Sequence, residues 1–119
     1  MELGEEAQTE LLKAVSHPVR LRILAELVRE EECVCHLSSL LKKPQPYVSQ
    51  QLAALKAAGL VLDRRDAQRI YYRTASPRIG DLLRAIAALA GLPESHGGAR
   101  HHVPGCPCPK CSPDTLERY

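Results

Sequence analysis

Two apolar stripes held apart by Lys42-Lys43-Pro44-Gln45-Pro46 constrain this chain more than any other feature. Val34, Leu37, Leu40 and Leu41 recur at helical spacing before that segment, and Val48, Leu52 and Leu55 recur after it. Proline has no N–H for a helix ladder and biases the residue before it toward extended backbone, so the stripes cannot fuse into one long helix. Pro46 suits the first turn of a second helix, predicted over 46–58, and Gly59 suits the position just past its end. Two short helices joined by a tight turn read as a helix-turn-helix, the second exposing Gln45, Tyr47, Ser49, Gln50 and Gln51. Their amide, hydroxyl and phenol groups can bond base edges and phosphates. Lys42 and Lys43 add positive charge just ahead of them.

The flanking segments extend this pattern. Leu11, Leu12 and Val15 place a first helix over 3–15. Ser16-His17-Pro18 interrupts it, with Ser16 or His17 available as an N-cap for a second helix over 19–29 that carries Ile23, Leu24, Leu27 and Val28. Leu60-Val61-Leu62-Asp63 and Arg69-Ile70-Tyr71-Tyr72-Arg73 are strand-like, with 64–68 between them. That predicts a hairpin with a basic tip, a wing carrying Arg64, Arg65 and Arg69. Ser76-Pro77 opens a last helix to about residue 90, striped by Ile79, Leu82, Leu83, Ile86 and Leu89. The expected class is mainly α with a small β-hairpin wing: a winged helix-turn-helix.

At 119 residues there is room for one compact domain, and Phe and Trp are absent. The core must therefore be built from Leu, Ile, Val and Ala, which is thin for a monomer and favours burying a further apolar face in a dimer. A net charge of +2 is too small to argue for nucleic acid by itself, so the clustering of arginines matters more. No apolar run is long enough to span a bilayer, and residues 1–8 lack the basic-then-apolar layout of a signal peptide. The expected compartment is the cytoplasm, with no membrane partner. There thiols stay reduced, and five cysteines read as ligands or redox groups before they read as structural disulfides. No phosphate loop, His-Glu-x-x-His or nucleophile elbow occurs, so an enzyme is not expected. From Pro93 the composition changes abruptly to Pro, Gly, His and Cys. The reading is a DNA-binding and dimerisation domain over 1–92 and a tail over 93–119 that is extended or disordered when unliganded.

The hexad Glu32-Cys33-Val34-Cys35-His36-Leu37 sets two thiols one residue apart. In a straight helix residues i and i+2 lie about 200° apart, whereas in an extended or frayed first turn they fall on one side. An ion gripping both sulfurs would hold the backbone out of regular helix just ahead of the reader, coupling occupancy to conformation. A helix start also favours the thiolate. The alternative for Cys33 is a small buried hydrophobe on the face of Leu37 and Leu40. The tail adds a second thiol cluster, Cys106-Pro107-Cys108-Pro109-Lys110-Cys111. Arsenite wants three sulfurs, cadmium and lead accept three or four, and zinc takes four ligands with His allowed. An all-sulfur box favours arsenite or antimonite, or cadmium or lead, over zinc. Two rivals remain: a repressor in which Cys33 or Cys35 pairs oxidatively with a tail cysteine, and a metal-binding module with no DNA role.

From about residue 11 to 89 the chain resembles the ArsR/SmtB family of metal-sensing winged-helix repressors. The resemblance is carried by Lys13-Ala14-Val15-Ser16-His17-Pro18-Val19-Arg20, the E-C-V-C-H-L box and Gln45-Pro46-Tyr47-Val48-Ser49-Gln50-Gln51-Leu52. Leu55-Lys56-Ala57-Ala58-Gly59-Leu60-Val61 and Ile70-Tyr71-Tyr72-Arg73 complete it. It implies a homodimer, formed through the first and last helices, that holds double-stranded operator DNA when metal-free and releases it on metal binding. It also places Cys33 and Cys35 at the helix-three site used by arsenite and cadmium/lead sensors. Two departures stand out. Ser38 occupies the position of the arsenite sensor's third thiol, and Leu83 replaces the histidine that, with Asp81, would begin the final-helix zinc site. Cys106, Cys108 and Cys111 could supply the missing thiolates.

Overall fold

The computed structural model describes residues 4–92. Its elements run α1 (Glu5–Val15), α2 (Pro18–Arg29), β1 (Glu32–Cys33), α3 (Val34–Leu41), α4 (Gln45–Ala57), β2 (Val61–Asp66), β3 (Arg69–Thr74) and α5 (Arg78–Leu89). The expectation for 93–119, with Cys106, Cys108 and Cys111, falls outside the described residues. The expected class holds: helices surround a three-stranded antiparallel sheet of order β1-β3-β2.

Local chemistry explains the breaks. His17 is the N-cap of α2, its Nδ1 accepting from Val19 N–H at 3.1 Å, with Pro18 in the first turn. α3 stops at Lys42, a non-glycine residue with φ 55°, a backbone state that costs such a residue roughly 1–2 kcal/mol. Pro44 then caps α4, which starts one residue ahead of the predicted Pro46. At the far end Gly59, with φ 77°, lets Leu60 N–H reach Leu55 O at 3.0 Å and its own N–H reach Lys56 O at 2.9 Å. This pair of bonds is a Schellman ending, and it turns the chain directly into β2.

The hairpin is longer than its sequence suggested. β2 and β3 pair from Val61↔Thr74 to Asp66↔Arg69, leaving only Ala67 and Gln68 as the turn. Arg64 and Arg65 therefore lie within a strand and not in a basic tip. One face of the hairpin meets solvent, so charged side chains need not break the ladder. The sequence also gave no sign of β1, whose Glu32 and Cys33 pair with Tyr72 and Tyr71. The core gathers Ile23, Leu24 and Leu27 of α2, Leu37 of α3, Val48, Leu52 and Leu55 of α4, and Val61, Tyr72 and Ile79. Tyr72 supplies the only aromatic ring buried in that cluster, and burial pushes its phenol upward in pKa, with the nearby Asp63 adding to the shift.

Candidate nucleic-acid interface and thiol site

α4 presents Gln45, Ser49 and Gln50 to solvent, as an element meant for a groove should. Tyr47 is only half-buried: it packs on the core while the Lys43 ammonium sits over its ring, 5.9 Å from the centroid. Lys42 and Lys43 are exposed in the turn ahead of it. Gln51 corrects the sequence reading. It is 9% exposed and turned inward, where its Oε1 accepts from Arg20 Nε at 2.8 Å. Residues i and i+1 on a helix diverge by about 100°, so Gln50 and Gln51 cannot both face a groove squarely.

Of the wing arginines, Arg65 is exposed and Arg64 is engaged. The Arg64 guanidinium grips the Glu31 carboxylate through Nε at 2.9 Å and Nη2 at 2.5 Å. It also stacks over Tyr71, 4.7 Å from the centroid. The hydrogen bonds it donates to Glu31 are the chief reason its pKa is raised, which reinforces a charge that arginine keeps at every accessible pH. Arg69 points toward the thiols, its Nη1 lying 3.5 Å from Cys35 Sγ.

The thiols sit where strand becomes helix. Cys33 is the second residue of β1 and the N-cap of α3, with extended backbone, and Cys35 lies in the first helical turn. The two sulfurs share one side, 2.6 Å apart, as the extended reading requires. Cys33 is 1% exposed and packs with Tyr71, Cys35 and Leu40, whereas Cys35 is half-buried. Behind them Glu32 and His36 form a buried pair, Nδ1 to Oε2 3.3 Å, each side chain 3% exposed. The i, i+4 spacing within the hexad could have signalled that pair, which the sequence reading passed over. Nothing in the spacing signalled the links made by Arg20, Glu31 and Arg69, whose partners lie more than thirty residues away.

A soft ion is only partly provided for by the described residues. Cys33 and Cys35 offer two sulfurs, and the Nδ1 of His36 is turned to Glu32. No group of three or more His, Cys, Asp or Glu among the described residues is arranged to hold an ion. Metal–sulfur bonds of about 2.3 Å in tetrahedral geometry set two sulfurs about 3.8 Å apart, a span that two neighbouring sulfurs on one side of the chain can meet.

Comparison with known proteins adds the lineage. Residues 17–62 match the family described as bacterial regulatory protein, arsR family. The chain is 40% identical over 86 residues to the biofilm growth-associated repressor of Agrobacterium fabrum, covering 72% of this chain and 74% of that protein. It is 40% identical over 86 residues to the transcriptional repressor SmtB of Mycobacterium tuberculosis, covering 72% of this chain and 64% of that one. Among solved structures it is similar to the homodimeric winged helix-turn-helix DNA-binding domain Mb0332 of Mycobacterium bovis. That similarity has a TM-score of 0.69 at 29% identity and covers 82% of this chain and 90% of the other. With the helix-turn-helix, the wing and this descent in agreement, the chain belongs to the arsR family of bacterial regulatory proteins.

Proposed function

We infer that this protein is a homodimeric cytoplasmic repressor that holds operator DNA with α4 and the wing and lets go when its thiols capture a soft ion. One observation carries the coupling. The strand that bears Cys33 is hydrogen-bonded in register to β3, and the helix that bears Cys35 leads straight to α4. An ion held by both sulfurs therefore acts on the wing and the reader together. Arg69 beside Cys35 and Glu31 on Arg64 tighten that mechanical link. Cys106, Cys108 and Cys111 supply the remaining thiolates, because arsenite or antimonite needs three sulfurs and cadmium or lead three to four. The all-sulfur pair ranks these ions ahead of zinc. Exposed Leu11 and Leu12 on α1 and Leu89 on α5 supply the apolar face for the second copy. No described helix is long and apolar enough to cross a membrane.

A second reading, release by thiol oxidation, is favoured by the placement of the two sulfurs side by side. Fluorescence anisotropy on operator DNA, titrated with arsenite, cadmium, zinc and peroxide, separates the two. The metal reading expects release by arsenite or cadmium at stoichiometric concentration, with a chain truncated after Leu92 binding DNA normally but responding weakly. Release by peroxide alone would replace it with the oxidative reading.

A further inference from the structure

We propose that Arg20 and Gln51 form a strut that fixes the angle of α4 against α1, making both positioning residues for DNA reading. The proposal rests on the DNA-binding function inferred above.

Three features build the strut. Gln51 is the one buried polar residue on the reader helix, and its amide oxygen takes the Nε–H of Arg20 at 2.8 Å. The same guanidinium donates from Nη1 to Ala14 O at 3.3 Å. Ala14 lies in the last turn of α1, where carbonyls lack partners within the helix and the helix dipole favours a cation. One rigid planar fork thus joins the end of α1 to the middle of α4, a geometry that a lysine ammonium cannot reproduce.

The position of the strut decides what it controls. Val48, Leu52 and Leu55 are fully buried and hold α4 to the core without it. They resist separation better than rotation, since apolar contacts are non-directional. A hydrogen-bonded amide facing inward sets the rotation, and with it the aim of Ser49 and Gln50. At its other end the strut grips α1, the helix whose exposed Leu11 and Leu12 serve the dimer face. It therefore stands between the dimer axis and each reader helix and governs the distance between the two half-sites being read.

The test uses full-length protein and an operator selected by the wild type from random duplexes, with variants gaining or losing one base pair between half-sites. Wild type should prefer the selected spacing. Arg20→Ala and Gln51→Ala should lose roughly tenfold on that spacing, the size of one hydrogen bond to a charged group. They should lose much less on the altered spacings, and their salt dependence should match wild type. Gln51→Glu, which keeps an acceptor for Arg20, should stay near wild type, whereas Arg20→Lys should not rescue. Equal losses on every spacing, or Gln51→Glu as weak as Gln51→Ala, would overturn the strut. A salt slope reduced by about 0.9 in Arg20→Ala would instead assign Arg20 to a phosphate. Failure of the wild type to select any duplex would sink the DNA reading and the strut with it. Normal selection with unaltered variants would overturn the strut alone.

Discussion

Cys33 serves two structures at once, since it closes the sheet edge opposite Tyr71 and shares a contact with the Cys35 sulfur. A serine there would bury a hydroxyl in a site shaped for a thiol, costing about 1–3 kcal/mol unless it finds a partner. Cys35 is half-buried, and its serine variant should change stability by no more than about 0.5 kcal/mol. Urea unfolding of the ion-free protein should show this asymmetry, while both variants should leave the repressor on DNA in the presence of inducer. Equal stabilities would mean that Cys33 is not held by the sheet. The hexad made the shared side of the two thiols legible only on condition that the segment is extended, a condition the strand pairing of Cys33 meets. It offered a sealed Cys33 only as the alternative to the ligand reading, and the 1% exposure of Cys33 bears that burial out. That depends on Tyr71, which arrives from a strand far along the chain. Gln51 misled for the same reason: polarity suggests exposure, and only the partner Arg20 makes burial tolerable.

Among the elements, the helix-turn-helix and wing were readable because their signals are local: a proline pair, an αL glycine, two strand-like runs. β1 was not, since two residues carry no periodicity and exist as a strand only through pairing with β3. The wing's charges divide accordingly. Arg64 is already neutralised in part by Glu31, whereas Arg65 faces solvent. Replacing Arg65 by Ala should reduce the slope of log Kobs against log salt by about 0.9, the loss of one phosphate contact. Arg64→Ala should reduce it less, and Glu31→Gln should steepen it by freeing Arg64. Anisotropy titrations between low and moderate salt would check all three. Identical slopes throughout would remove the wing from the DNA contact.

At the scale of the whole molecule, a core without Phe or Trp leaves apolar surface uncovered. Leu12 of α1 is 57% exposed and Leu89, the last residue of α5, is 91% exposed. Replacing both by Glu should give a folded monomer by sedimentation, because neither side chain supports the core. Operator affinity should then fall by roughly 10²–10⁴-fold as the second half-site loses its tether. A dimer that survives the double change would place the interface elsewhere. The sealing of Cys33 has a further consequence, and it concerns time. Cys33, 1% exposed, cannot be reached until the short strand that carries it parts from Tyr71 of β3, and such small units open far below the free energy of global unfolding. Cys35 meets an incoming ion first, and Cys33 completes the grip at the pace of that local opening. Above a modest concentration, response speed becomes a property of the fold, unmoved by how much ion surrounds it.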